Sequence, residues 1–251
     1  MHKLFLLFSA AAVCAWAYID VTPIEIGEHP NLSGSVALSL SNRRGNTDKT
    51  EISGDLTLRY DSNKTYALWF SGGYNYNDTE GKSIENRGSA HLRYLHKITP
   101  ALYAEGFIQD ENNRINGIKN RFVAGVDLRW RFFDTAAYGR GYLAAGPIGE
   151  QIRFVHPQTD PLQNNIRLST YLFYTKSFET GARFNAYLYF QPKTGAWSDY
   201  NLYSLAEFKT PIYKNFFLLF SLTYDYDSTP PRYGDIDAMD MEQKVSLLWK
   251  F

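Results

Sequence analysis

EISGDLTLRY, residues 51–60, is the stretch on which the fold turns. Ile52, Leu56, Leu58 and Tyr60 share one face, with Gly54 among them. Glu51, Ser53, Asp55, Thr57 and Arg59 share the other. A period of two is a strand half in apolar and half in polar surroundings, whereas a helix repeats near 3.6. FVAGVDLRWRF, residues 122–132, repeats the pattern. Phe122, Ala124, Val126, Leu128, Trp130 and Phe132 lie on one face, and Asp127, Arg129 and Arg131 on the other.

Outward from these two, alternation marks twelve segments: 32–42, 49–61, 65–77, 85–97, 101–111, 118–133, 136–155, 164–177, 181–191, 199–210, 215–227 and 240–251. Most are ~10–14 residues long, against ~5–6 for ordinary globular strands. A tilted strand needs ~9–11 residues to cross a bilayer. The connections DSNK, HKITP, FFDTA, SFET and TPIYKN are short. SNRRGNTDK, NDTEGKSI, ENNRING, HPQTDPLQ, PKTGAWSD and DSTPPRYGDIDAMD read as mostly longer and more polar. Short turns at one end and long loops at the other mark bacterial outer-membrane barrels. Aromatics are expected in girdles at the two ends. Tyr60, Tyr66, Tyr94, Trp130, Phe132, Phe216 and Trp249 sit by the short turns, and Tyr74, Tyr76, Tyr224 and Tyr226 opposite.

Past the N-terminus the longest apolar stretch is Phe216–Phe220, far below the ~20 residues of a spanning helix. In hydrocarbon every backbone N–H and C=O must be paired, so a non-helical span has to be a closed barrel. The expected fold is all-β: a transmembrane antiparallel up-and-down β-barrel of about twelve strands, with short periplasmic turns and longer extracellular loops.

Composition agrees. Of 251 residues, 44% are hydrophobic, so the chain is not disordered by composition. It holds 19 Tyr, 17 Phe and 5 Trp, and 26 basic residues balance 26 acidic ones. That balance lacks the basic excess of a nucleic-acid binder. MHKLFLLFSAAAVCAWA opens with Lys3, an apolar core over 4–13, and small residues at Ala15 and Ala17. This reads as a secretory signal peptide cleaved after Ala17, with Ala15 and Ala17 as the peptidase site. Cys14 invites a lipoprotein reading, but Val13 is a poor fit to the small residue that needs. Cleavage removes the only cysteine and with it disulfide and thiol chemistry. The expected organisation is signal peptide 1–17, a short periplasmic segment 18–31, and one barrel domain over 32–251 in a bacterial outer membrane.

Three stretches carry a family resemblance. GNTDKTEISGDLTLRY (45–60) resembles an opening hairpin. YDYDSTPP (224–231) resembles a penultimate strand with its Pro-containing loop. Asp240, followed by an alternating strand to Phe251, resembles the ending. The family is domain-of-unknown-function family 481, whose members are often labelled salt-induced outer membrane proteins. The resemblance implies an outer-membrane β-barrel of unsettled role and carries over no catalytic residue.

Little reads as chemistry. There is no HExxH, CxxC or phosphate-binding glycine loop, so no metal, cofactor or enzyme activity is expected. Ser89 and His91 share a face two residues apart, which keeps an embedded lipid hydrolase as a minor alternative. A triad needs a third, orienting residue, and none can be named. Asp225, Asp227, Asp235, Asp237, Asp240 and Glu242 fit no Ca²⁺ loop and read as a solvated loop facing lipopolysaccharide cations.

The inward face holds the better candidates. It receives Arg59, Arg93, Arg129, Arg131, Arg140 and Arg183 with Lys97, Lys209 and Lys244. Glu51, Asp55, Glu105, Asp127 and Glu207 join them, as do Tyr187 and Tyr189. Basic rings in a pore favour anions, and arginine grips carboxylate and phosphate in pairs of bonds. One reading is therefore a narrow passive channel with an anion-favouring lumen. The other is a closed structural or interaction barrel, plugged by salt bridges and acting through its surface loops in envelope integrity or stress response. Twelve strands fall between filled eight-stranded and open sixteen-stranded barrels, so both stand.

VSLLWKF (245–251) reads as the closing strand, with Val245, Leu247, Trp249 and Phe251 toward lipid. It is expected to pair with the first strand near 32–42. Trp249 and Phe251 resemble the aromatic-x-aromatic signal read by the barrel assembly machinery. Expected partners are that machinery and outer-membrane lipid and lipopolysaccharide, with no nucleic acid and a monomeric state.

Overall fold

The computed structural model describes residues 25–27, 30–43, 49–79, 82–114, 116–233 and 236–249. The strands are β1 (Asn31–Arg43), β2 (Lys49–Asp61), β3 (Tyr66–Thr79), β4 (Lys82–Lys97), β5 (Leu102–Asn113) and β6 (Ile118–Thr135). They continue as β7 (Gly139–Phe154), β8 (Gln163–Ser177), β9 (Arg183–Lys193), β10 (Ala196–Tyr213), β11 (Phe216–Asp227) and β12 (Met239–Trp249). Among the described residues no helix is long and apolar enough to cross a membrane.

Each strand pairs antiparallel with the next, in the order β1 to β12. The two ends of this sheet, β1 and β12, come back within 8 Å of each other by Cα. The sheet is thus curled into an up-and-down barrel, as right-handed strand twist favours. The last strand thus comes back beside the first, where pairing was expected. A hydrogen-bonded ladder across the seam is not among the pairings of the described residues.

Alternation decides which side chains go in. On β2, Leu56, Leu58 and Tyr60 are exposed on the outer surface, while Asp61 is buried. The same holds around the wall: Leu92, Ile108, Val126, Leu128, Trp130, Leu143, Leu172, Leu188 and Phe220 are outward and exposed. Aromatic rings follow one another at the end bearing the short turns. Tyr60–Tyr66 and Tyr66–Tyr94 are each 6.0 Å apart. Trp130–Phe132 is 5.9 Å, Phe132–Phe133 5.1 Å, and Phe133–Tyr174 and Tyr174–Phe184 6.2 Å each. This is the expected girdle at the turn end.

Two local irregularities matter. Between β6 and β7 the register shifts at Arg131/Phe133. Such a bulge puts one extra residue in the strand and flips the facing beyond it. Phe133 therefore joins Phe132 outside, over Gly141, where a Cβ would meet Phe133 at 2.2 Å. Asp134 turns inward to pair with Arg140. Further up, the ladder has no partners for Val126 and Asp127, opposite Gly146 and Pro147. Proline brings no N–H to that ladder. At Gly146 a Cβ would lie 1.9 Å from the Val126 carbonyl oxygen, so only glycine lets the strands approach.

The expected contrast of short turns and long loops needs correction. β3 runs to Thr79 and β4 starts at Lys82, so NDTEGKSI is almost all strand. β9 ends at Lys193 and β10 starts at Ala196, so PKTGAWSD is a tight hairpin, with Gly195 at φ 82°. Only the segments 155–162 and 228–238 are long. They fold onto each other: the Asp160 carboxylate accepts from the Arg232 and Tyr233 amides at 2.9 and 3.0 Å.

Candidate functional site

The middle of the lumen is built around Glu105 on β5. Its Oε2 accepts from Arg93 Nη1 (β4) at 3.2 Å and from the Tyr171 hydroxyl (β8) at 2.8 Å. Its Oε1 is 3.2 Å from Arg129 Nη1 (β6). Strand pairing places Arg93 opposite Phe107, and Tyr103 opposite Arg129. Arginine stacks on rings as well as pairing with acids. The Arg129 guanidinium lies 4.6 Å from the Tyr103 ring centre and 5.1 Å from that of Tyr142. Arg93 sits 5.1 Å from Phe107 and 5.8 Å from Trp69. Arg129 is 1% exposed.

β8 is three strands away from β5, so the Tyr171–Glu105 bond links non-neighbouring strands through the lumen. Packing links such strands too. Trp69 on β3 belongs to one buried cluster with Tyr142, Tyr171, Phe173, Tyr187, Tyr189, Tyr203 and Leu205, from β7 to β10. Asp127 is buried beside this brace, against Gly146. His91 is buried next to it. Arg93 Nε donates to His91 Nε2 at 3.3 Å, so Nδ1 carries the proton toward Gln109 Oε1 at 3.2 Å. Both ring nitrogens are engaged, and neither is left for Ser89.

A second cluster lies toward the long loops. Glu150 on β7 accepts from Arg121 Nε at 2.7 Å, Arg167 Nε at 2.8 Å and Asn165 Nδ2 at 2.9 Å. Arg121 also pairs with Glu111 at 3.0 Å, and Arg167 with Asp199 at 2.8 Å. Beside them is a small cavity of about 70 Å³, partly open to solvent and also lined by Asp225, Asp227 and Asn201. Among the described residues no group of acidic or histidine side chains is arranged to hold a metal ion.

At the turn end a segment from outside the wall enters the barrel. Sequence reading placed 18–31 as a short periplasmic segment, and within it Glu25 is buried, 7% exposed. Its carboxylate accepts from the Tyr142 hydroxyl, from the Tyr103 hydroxyl at 3.3 Å and from Arg131 Nη1 at 3.1 Å. Its carbonyl accepts from Arg59 Nη2 on β2 at 2.7 Å. Gly27, at φ 98°, donates its amide to Asp61 Oδ2 at 2.8 Å. The segment thus spans the mouth from β5–β7 to β2.

The sequence-derived residues distribute as follows. Arg93, Arg129 and Asp127 meet in the central brace. Arg131 and Arg140 meet at the turn end, joined by Asp134 at 3.1 Å from each. Arg59 pairs with Asp61 at 3.2 Å. Arg183 reaches the Ser177 hydroxyl at 3.2 Å, and Glu207 accepts from Asn185 at 3.4 Å. Asp55 stands apart: it faces inward yet is exposed. Trp249 ends β12 opposite Phe216. Phe251, Ala15 and Ala17 lie outside the described residues. The inward reading of the arginines therefore holds, but each has a carboxylate or hydroxyl partner. Sequence reading missed Tyr103, Tyr142 and Tyr171, the Arg121–Glu150–Arg167 cluster, Asp134 and Glu25. Arg121 and Arg167 share the parity of their inward neighbours, so the signal for them was present.

The family described as "Protein of unknown function, DUF481" matches residues 36–251, and the chain belongs to it. Among curated proteins none matches. Of solved structures, a NanC porin in a rhombohedral crystal form is similar at a TM-score of 0.49 and 11% identity. The match covers 88% of this chain and 99% of that one. A membrane protein from work on in-meso crystallization is similar at a TM-score of 0.40 and 9% identity, over 89% and 83% of the two chains.

Proposed function

We propose that this DUF481 member is an outer-membrane β-barrel, exported by a cleaved signal peptide, that its own side chains close at rest. Its role in the envelope is exerted through its surface and its loop end. The observation that carries this is the packed cluster that joins Trp69 on β3 to Tyr187, Tyr189 and Tyr203 on β9 and β10, with the Tyr171–Glu105 bond beside it in the lumen. A membrane setting is supported by the exposed apolar outer face and the aromatic girdle at the turn end. Of the basic residues read as an anion-favouring field, Arg59, Arg93, Arg129, Arg131 and Arg140 are offset by Asp61, Glu105, Glu25 and Asp134, and paired charges cast a weak field. Purified protein in planar bilayers is expected to be silent, and cell fractionation to find it in the outer membrane. Regular single-channel steps with anion preference would overturn the closed reading.

One observation favours a second reading, a narrow passage on one side of the lumen. The inward residues Ser33 and Ser35 on β1, Ser53, Asp55 and Thr57 on β2, and Ser221 and Thr223 on β11 are small or polar and are not buried. Small steps leaning toward cations, weakened or reversed by Asp55→Lys, are the signature of that passage.

A further inference from the structure

We propose that Tyr103, Tyr142 and Arg131 form a carboxylate-binding site at the turn end of the lumen, occupied here by the chain's own Glu25. In this view Glu25 is a tethered stand-in for a small free carboxylate. The site is built by the wall and the guest is not. Tyr103, Arg131 and Tyr142 sit on the neighbouring strands β5, β6 and β7, with Tyr103 opposite Arg129 and Arg131 opposite Tyr142 in the registers. Both tyrosines are buried, Tyr142 to 0% exposure. Their rings are held by the Arg129 guanidinium at 4.6 and 5.1 Å. Arg131 is fixed by Asp134 at 3.1 Å and by the Pro100 carbonyl at 2.7 Å. Three donors thus converge on one point, with the Pro100 carbonyl, 3.3 Å from the Tyr103 hydroxyl, as that hydroxyl's alternative acceptor.

Donors in that number suit an anion. Two hydroxyls and a guanidinium N–H reach both oxygens of one carboxylate: Tyr142 goes to Oε1, Tyr103 and Arg131 to Oε2. Charge-assisted bonds of this kind are the strong ones. The guest comes from residues outside the strands, and its other anchors are the Arg59–Glu25 carbonyl bond and the Gly27–Asp61 bond. Two such anchors make the tether displaceable. An entering carboxylate competes with Glu25 for the same donors, and the segment across the mouth is then released. This does not depend on whether the barrel conducts.

The test is chemical rescue of the full chain in detergent. Glu25→Ala is expected to unfold at a lower temperature than the parent. Sodium acetate is expected to restore part of that shift saturably, while sodium chloride at equal ionic strength does not. Adding Tyr142→Phe or Arg131→Ala to Glu25→Ala is expected to weaken the acetate response several-fold. Equal effects of acetate and chloride, no response to either, or a variant as stable as the parent would each overturn the proposal. Should Glu25→Ala not fold, the parent decides. High acetate then has to speed protease cleavage within residues 18–29 relative to chloride, and unchanged cleavage would overturn the site.

Discussion

The two walls of the lumen differ although one alternation rule builds both. From β3 to β10 the inward positions hold Trp69, His91, Arg93, Tyr103, Arg129, Tyr142, Tyr171, Tyr187, Tyr189 and Tyr203, all buried. On β11, β1 and β2 they hold Ser221, Thr223, Ser33, Ser35, Ser53 and Thr57, none buried. Alternation fixes only which residues face in. Their size decides whether the interior fills, and here large aromatic and arginine side chains extend from one wall toward a wall of hydroxyls. The same asymmetry separates costs. A charge on the crowded wall is desolvated and depends on its partner, whereas Asp55, midway along the thin wall, keeps water.

The most severe way to break the crowded wall is Glu105→Ala. It leaves the Arg93 and Arg129 guanidiniums without their shared carboxylate. Losing one partner of a buried ion pair costs about 3–5 kcal/mol, so refolding midpoints in urea with lipid vesicles are expected to drop sharply. Glu150→Ala is expected to cost less, about 2–3 kcal/mol by the strength of hydrogen bonds to charged groups. Arg121 keeps Glu111 and Arg167 keeps Asp199. The heat-modifiable mobility shift on gels is a suitable readout. Tyr171→Phe removes one hydroxyl from Glu105 and is expected to cost about 1.5 kcal/mol. Followed by tryptophan fluorescence during unfolding, a loss as large as that of Glu105→Ala would place the brace elsewhere. On the thin wall, Asp55→Asn is expected to stay within about 0.5 kcal/mol, as for surface substitutions in general. A large loss there would end the contrast between the walls.

Most of the fold was legible because alternation survives in every strand. The twelve segments read from it overlap the twelve strands, ends differing by a few residues. It misled at NDTEGKSI and PKTGAWSD, where both faces turn polar. Each also carries a register shift, at Asn77/Asp78 and at Ala196/Tyr200, which breaks a period-two count while the strands stay paired on either side. Asp134 was hidden by the bulge at Arg131/Phe133, since a parity count cannot see an extra residue. The six arginines were found because charge at an inward position stands out. Their partners were harder, because Tyr171 and Glu105 are 66 residues apart and meet only through curvature. Glu25 was out of reach, as its carboxylate's partners lie 78 to 117 residues away.

The missing rungs opposite Gly146 and Pro147 have a consequence in time rather than space. Where two strands are fully paired, an amide hydrogen held between them is replaced by deuterium only when the sheet opens. Where β6 passes Gly146 and Pro147 that pairing is broken, because Pro147 brings no N–H to β6, and the amides around the gap are expected to exchange sooner than their paired neighbours. An isotope-exchange map would show a slow cylinder with a quick spot in mid-wall, close to the Glu105 brace that Asp127 faces across the β5–β6 ladder. The stiffest part of the interior would then lie beside the part of the backbone that opens first.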